Sequence, residues 1–288
     1  MTMMIREDEI RFDARDGYSL SGRIITPEQP RAAVLVSSGT GFPKGFYRRI
    51  VLAGAERGYA CLLYDYRGIA GSAPARMRGY KADIVDWGRL DFPAALDRAE
   101  ALAPGKPLFT LGHSVGGHLV GLADNAAKAR AHAFICVGSG HWGRHLAYYR
   151  PQVLFFWFAY GPACLALKGY VPPGGMWGGT ALPRDVFLQW RRWASRPGYL
   201  GDDFEAIGDH SFGAVEAPIR SYQFTDDPIA TAGAAQDILD LYSAASTELV
   251  TLAPKDIGAG RVGHSGAFRR GAEGLWPMPY DWFDTMAD

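Results

Sequence analysis

The sequence predicts an α/β fold: a mostly parallel sheet with helices on both faces and a helical cap inserted into the second half of the chain. From Pro27 onward, short apolar runs rich in branched residues alternate with longer helical stretches, and Gly and Pro bound the runs. This alternation indicates strand–helix–strand crossovers, which pair strands in parallel and bury the sheet on both faces. The alternation stops near residue 140 and resumes near 219. We therefore expect a single domain over 1–288, with a core of 1–140 and 218–288 and a cap or lid at 141–217.

The elements follow from local patterns. A β-hairpin is predicted at 9–14 and 18–26, because both segments alternate and Asp16-Gly17 between them is a turn signal. Further strands are predicted at 32–37, 60–64, 108–111, 133–137, 220–224 and 248–252. Helices are predicted at 47–57, 92–102, 115–130, 230–244 and from 267 to the C-terminus. Asp91 is the predicted N-cap of the helix that starts at 92.

The predicted cap has an unusual composition. Residues 141–193 contain 13 aromatic side chains, including five of the eight tryptophans. Such side chains can form a small core, line an apolar pocket, or do both, and insertions into α/β sheets sit over the strand ends where ligands bind. This stretch is also basic, whereas 202–216 is acidic. The two charge blocks are solvated, pair with each other, or recognise an anionic substrate.

Composition excludes several classes of protein. The chain has 288 residues, 30 basic and 30 acidic side chains, and 48% apolar residues. It therefore lacks the high net charge of a disordered chain and the basic excess of a nucleic-acid-binding protein, so no nucleic-acid partner is expected. The three cysteines are odd in number and far apart, which fits neither a disulfide framework nor a metal site.

The sequence also predicts a cytoplasmic protein. The N-terminus turns acidic where a signal peptide needs an apolar region. The longest apolar stretch, 153–167, is broken by Gly161-Pro162 and is shorter than the about 20 residues of a spanning helix, so no membrane span is expected.

The most specific motif is Gly112-His113-Ser114-Val115-Gly116, which fits G-x-S-x-G between a predicted strand and a predicted helix. In that context the motif is a nucleophile elbow, a sharp turn that projects the serine hydroxyl at a helix N-terminus. Glycines two residues before and after the serine leave room for the backbones to pass. Ser114 is therefore the predicted nucleophile.

A serine nucleophile needs a base and an acid that orients it. Of the seven histidines, His264 is chosen because it lies in a small-residue loop after the last strand, whereas His113 is too close to Ser114 in sequence to reach its hydroxyl. The acid should follow the preceding strand, where Asp226 and Asp227 are adjacent. Asp227 is the preferred acid, and the choice between the two stays open.

An oxyanion hole needs two N–H donors. One is the N–H of Val115, the residue after the nucleophile. The other should come from the loop after the first parallel strand, 37–43, where Thr40 is the expected donor.

Five segments in chain order resemble the landmarks of the α/β-hydrolase superfamily, and most closely its serine-aminopeptidase and monoglyceride-lipase-like bacterial branch. They are 38–41 (Ser-Gly-Thr-Gly), 64–72 (Tyr-Asp-Tyr-Arg-Gly-Ile-Ala-Gly-Ser), 112–117 (Gly-His-Ser-Val-Gly-Gly), 226–229 (Asp-Asp-Pro-Ile) and 263–264 (Gly-His). The resemblance implies the α/β-hydrolase fold, a Ser114–Asp227–His264 triad in that chain order, and an acyl-enzyme mechanism. In many relatives the segment matching 65–72 is structural. Two departures stand out: Ser38-Gly39 replaces the His-Gly that relatives often have, and the D-x-x-x-P frame of the acid ends in Thr231.

These observations predict a serine hydrolase that cleaves a carboxylic ester or related acyl bond. An acyltransferase or peptidase on the same scaffold, or a non-catalytic binding protein, are the alternatives. The expected partner is a small acyl compound with an apolar part, and self-association is left open. No cofactor or metal is expected, because the G-x-G-x-x-G match at 258–263 leaves too little chain for a dinucleotide fold and His141-x-x-x-His145 lacks a third ligand.

Overall fold

A computed structural model of the chain describes residues 4–287. One eight-stranded sheet runs through it, in the order β1-β2-β4-β3-β5-β6-β7-β8. The strands are β1 (Ile5–Asp13), β2 (Ser19–Pro27), β3 (Ala32–Ser37), β4 (Tyr59–Tyr64), β5 (Leu108–His113), β6 (Ala131–Ile135), β7 (Ile219–Phe224) and β8 (Thr247–Leu252). Each of the last six begins and ends within two residues of its predicted position.

The strand directions confirm the predicted fold class. β1 pairs antiparallel with β2, and β2 pairs antiparallel with β4. All pairs from β4 to β8 are parallel. The predicted hairpin is present, and Gly17 between its strands has φ +83°, a conformation that glycine adopts without the strain of a Cβ.

Ten α-helices accompany the sheet within residues 4–287. They are α1 (Arg48–Ala55), α2 (Ile84–Asp86), α3 (Phe92–Glu100), α4 (Val115–His118), α5 (Arg150–Phe155), α6 (Gly161–Lys168), α7 (Arg184–Ala194), α8 (Phe204–Ile207), α9 (Ala232–Leu239) and α10 (Pro277–Asp284). Short 3₁₀ and π turns extend several of them. No helix in this part of the chain has both the length and the apolar character needed to cross a bilayer.

Three predicted helices are clearly shorter than expected, and one of them is the helix predicted at 230–244, which spans Ala232–Leu239. The helix after Ser114 stops at His118 and continues as a 3₁₀ turn to Leu122, because its sequence is glycine-rich. The C-terminal helix starts at Pro277 rather than near 267. Two glycines interrupt that stretch: Gly271 has φ +91°, and Gly274 lies against the backbone of Ile257.

Asp91 directly precedes α3, as predicted, but its backbone is helical and its side chain does not cap the helix. The helical segment begins earlier, at α2, where Asp83 and Asp86 form a reciprocal capping box, and it passes through a π turn at Trp87–Asp91 into α3. The buried carboxylate of Asp91 instead accepts hydrogen bonds from the backbone N–H and the Nε of Arg67, both at 2.8 Å. Its partner is thus 24 residues away in the chain, which a local capping rule cannot detect.

Hydrophobic clusters lie on both faces of the sheet. Alternate residues of β3 supply them: Leu35 belongs to one cluster, together with α3, and Val34 belongs to the other, together with α1 and α10. Since side chains alternate across a strand, one apolar run can fill two cores.

The long connection between β6 and β7 contains α5 to α8. Its large aromatic side chains Trp157, Phe187 and Trp193 are buried in the same cluster as α3. Asp203 accepts a hydrogen bond from the indole of Trp193 and pairs with Arg192 and Arg196. Arg192 and Asp203 thus connect the basic and acidic blocks, whereas Arg144 of the basic block pairs with Asp237 outside the acidic block. The exact bounds of a cap at 141–217 stay a prediction.

Candidate active site

Ser114 lies in a strained turn between β5 and α4. It has φ +52° and ψ −121°, and it is one of four non-glycine residues with positive φ in residues 4–287. A Cβ on Gly112 would lie 2.7 Å from the backbone of Gly116, and a Cβ on Gly116 would lie 2.3 Å from the carbonyl oxygen of Ser37. Glycine at both positions therefore permits the turn, as the motif predicted.

Three predicted residues meet at the carboxyl edge of the sheet. Nε2 of His264 lies 3.1 Å from Oγ of Ser114, and Nδ1 of His264 lies 2.9 Å from Oδ2 of Asp227. They come from the ends of β5, β7 and β8, which are parallel strands and so end at the same edge. The geometry is that of a serine linked through an imidazole to a carboxylate.

Asp226 and Asp227 have different surroundings. Oδ1 of Asp227 accepts hydrogen bonds from the N–H groups of Ile229 and Ala230, at 2.8 and 3.0 Å. Burial raises the pKa of the Asp227 carboxyl, but the His264 ring and these two N–H groups outweigh it, so the pKa lies below its usual value. Asp227 is therefore an anion at neutral pH.

Asp226 holds the loop that carries the histidine. Its two carboxylate oxygens accept from the N–H groups of Val262 and Gly263, at 2.8 and 3.0 Å. The structure brings Asp227, rather than Asp226, into contact with His264.

A buried hydrogen-bond chain links three loops of the site. The N–H of Gly39 donates to the hydroxyl of Tyr47 at 2.7 Å, and that hydroxyl donates to Nδ1 of His113 at 2.8 Å. Nε2 of His113 donates to the backbone carbonyl of His264 at 2.9 Å. Burial lowers the pKa of His113 to about 3, so its ring is neutral and joins the 37–43 loop, the elbow and the histidine loop.

The sequence offered no signal for Tyr47. Its role depends on how the start of α1 packs against β5, which no motif records. His113 was recognised only as a residue unable to act as the base, and the structure agrees with that position, since its ring faces Tyr47 and the backbone of His264.

The two predicted oxyanion donors, Val115 and Thr40, line the same cavity as Ser114. Val115 is the first residue of α4, where N–H groups have no intrahelical acceptor. Thr40 is 5% exposed and, like Val115 and Ser114, lines the cavity described next. The Thr40 loop is held from above, because the N–H of Thr180 donates to the carbonyl of Gly41 at 2.9 Å and the ring of Trp177 covers Gly41.

A cavity of about 360 Å³ opens over Ser114 and His264. Its volume lies at the lower end of the range for small-molecule sites. Most of its lining residues come from the β6–β7 connection, which contributes six large aromatic side chains: Tyr149, Phe156, Trp157, Trp177, Trp190 and Tyr199. Among residues 4–287 there is no cluster of three or more potential metal ligands.

The segment 65–72 supports the site from outside. The carboxylate of Asp65 accepts from the N–H groups of Lys44 and Gly71, at 2.6 and 3.1 Å, and the guanidinium of Arg67 pairs with Asp16 and Asp91. Every one of these groups is engaged in a protein contact, which is the structural role implied by the resemblance.

A family profile matches part of the chain, and solved structures share its fold. A family profile described as serine aminopeptidase, S33, matches residues 28–165. DcsB, solved in complex with a substrate analogue, is similar with a TM-score of 0.66 and 13% identity over 97% of this chain and 99% of that chain. A soluble variant of monoglyceride lipase from Saccharomyces cerevisiae, with a substrate analogue, has a TM-score of 0.64 and 16% identity over 100% and 97%. The chain has the α/β-hydrolase fold.

A further α/β-hydrolase neighbour is an esterase from Pyrococcus furiosus, with a TM-score of 0.59 and 14% identity over 99% of this chain and 94% of that chain. The family match and the likeness to monoglyceride lipase confirm the resemblance inferred from the motifs. No curated protein matches the chain. Because the structural neighbours are so distant in sequence, their likeness shows the fold, and the reaction has to be argued from the site.

Proposed function

We propose that this α/β-hydrolase is a serine hydrolase that cleaves a carboxylic ester or related acyl bond through an acyl-enzyme. The observation that carries the proposal is the continuous contact from Asp227 through His264 to Ser114, at 2.9 and 3.1 Å, beneath an apolar cavity. Ser114 is the nucleophile, His264 the general base, and Asp227 the group that orients the imidazole. The segment 141–217 acts as the cap that supplies most of the cavity wall.

In the first half of the reaction, Oγ of Ser114 bonds to the acyl carbon while its proton passes to Nε2 of His264. The negative charge that develops on the acyl oxygen is stabilised by the N–H groups of Val115 and Thr40. The tetrahedral intermediate then collapses, and the leaving alcohol takes the proton from His264.

In the second half, water attacks the acyl-enzyme and gives a proton to His264. Collapse releases the carboxylic acid and returns the proton to Oγ of Ser114, so the enzyme is regenerated. Throughout, Asp227 is poised to stabilise the imidazolium, because its carboxylate is ionised and lies 2.9 Å from Nδ1.

Active-site labelling tests the proposal. A fluorophosphonate should label the wild-type protein and leave Ser114→Ala unlabelled. Ser211→Ala is the matched control, since its hydroxyl donates to the Ala123 carbonyl outside the cavity, and it should label like the wild type. Hydrolysis of aryl esters and of aminoacyl anilides then separates an esterase from a peptidase. An unlabelled wild type, or equal labelling of Ser114→Ala, would overturn the proposal.

A further inference from the structure

We propose that the cavity selects an uncharged acyl compound that carries a hydroxyl or carbonyl group in addition to the bond that is cleaved. The inference rests on the proposed function, because the cavity is a substrate site only if Ser114 is the nucleophile. It concerns which acyl compound is bound, and it comes from residues that line the cavity and carry buried polar atoms without a partner among residues 4–287.

The first of these atoms is Nε1 of Trp157. The side chain is 2% exposed and lines the cavity, yet its N–H finds no hydrogen-bond acceptor among residues 4–287. Another tryptophan of the same wall differs. The indole of Trp177 donates to the carbonyl of Thr180. An indole N–H is only a donor, so Trp157 calls for an acceptor such as a carbonyl or hydroxyl oxygen.

Two histidines in the wall add to this pattern. His145 is 3% exposed, and neither of its ring nitrogens has a partner in the described part of the chain. His118 is 2% exposed, and its Nε2 donates to the carbonyl of Gly138 at 3.2 Å. Nδ1 of His118 is then an acceptor, and it too is unpaired among residues 4–287. The wall therefore offers both donors and acceptors.

These polar groups carry no charge at neutral pH. Burial lowers the pKa of His118 to about 4, and burial together with the nearby His264 ring lowers the pKa of His145 to about 4. Besides the histidines, Arg269 is the one basic or acidic lining residue in the part of the chain that the structure describes, and it is exposed. A surface without charge disfavours a carboxylate or ammonium in the interior of the cavity.

A plain alkyl chain and a functionalised one should therefore bind differently. An alkyl chain packed against this wall would keep the Trp157 N–H and the histidine nitrogens buried and unpaired, which is costly. A substrate with a hydroxyl or keto group would pair at least one of them. We expect a preference of about 10- to 100-fold in kcat/KM for the functionalised substrate.

Matched aryl esters test this selection. Hexanoyl, octanoyl and decanoyl esters are compared with oxo- and hydroxyacyl esters of the same length and leaving group, with the oxygen at each position from carbon 3 outward. The wild type should prefer at least one functionalised ester by about 10-fold or more. Trp157→Phe keeps an aromatic ring and removes the N–H, so the ratio of kcat/KM for the functionalised ester to that for the plain ester should fall toward one. Trp177→Phe is the control, because its N–H already has a protein acceptor, and it should keep the preference.

The outcomes separate this inference from the proposed function. A wild type that reacts with fluorophosphonate but favours no functionalised ester by more than about twofold overturns the inference and leaves the serine hydrolase intact. An equal loss of preference in Trp157→Phe and Trp177→Phe also overturns it. If Trp157→Phe does not fold, His145→Phe takes its place and should lower the same ratio. An unlabelled wild type overturns the proposed function itself.

Discussion

Replacing Asp227 by Asn tests the roles of the adjacent acids most directly, because Asp226→Asn provides a control one residue away. In the wild type, Oδ1 of Asp227 accepts two backbone N–H groups and Oδ2 faces Nδ1 of His264. An asparagine has only one acceptor oxygen, and the two backbone donors favour its placement on their side. The amide NH₂ then faces Nδ1 of His264.

This exchange reverses the tautomer of His264. Nδ1 must accept from the new NH₂, so the ring proton moves to Nε2, which then cannot take the proton of Ser114. We expect kcat to fall by about 10⁴-fold with little change in KM. Asp226→Asn leaves one of two hydrogen bonds to the 262–263 backbone unmade, and we expect a loss of about 10-fold or less.

Ester hydrolysis and the rate of fluorophosphonate labelling should be measured for both variants, with thermal unfolding to show that both fold. The two rates should fall together in Asp227→Asn, since both depend on activating Ser114. A larger loss in Asp226→Asn than in Asp227→Asn would refute the assignment of the acid.

Three further predictions concern stability. Gly116→Ala places a methyl group 2.3 Å from the Ser37 carbonyl, so urea denaturation should show a loss of about 1–3 kcal/mol or more, whereas Gly260→Ala, with open space around it, should change little. Tyr47→Phe leaves the buried N–H of Gly39 unpaired, so it should lower the free energy of unfolding by about 1–3 kcal/mol. A urea midpoint equal to that of the wild type would contradict the hydrogen-bond chain. Burial lowers the pKa of His113, His118, His132 and His145 below the value in the unfolded chain. Their contribution to the free energy of unfolding is therefore complete above about pH 6.5 and is lost as the pH falls toward 4 or 3. A free energy of unfolding that stays constant between pH 7 and 5 would contradict their burial.

Much of the scaffold could be predicted because its signals are local. Strand positions followed from short apolar runs, and a run such as β3 is apolar at every position since both of its faces are buried. The elbow around Ser114 could be recognised because its geometry demands glycine at fixed offsets. Helix ends were harder, since Asp91 has the residue type of a cap but is bonded to Arg67 instead.

What the sequence determined by itself was the order of strands and helices, the position of the elbow, and the aromatic character of the segment between β6 and β7. Only the tertiary structure distinguished Asp227 from Asp226, because adjacent loop carboxylates differ in direction. Asp226 contacts the backbone of Val262 and Asp227 contacts the ring of His264, and each of these contacts spans more than 30 residues of the chain. The tertiary structure alone also showed that the hydroxyl of Tyr47 bonds Nδ1 of His113 and that the indole N–H of Trp157 has no acceptor among residues 4–287. The physical reason is the same in each case. A hydrogen bond depends on where two groups meet in space, and for these groups packing of distant segments decides that meeting.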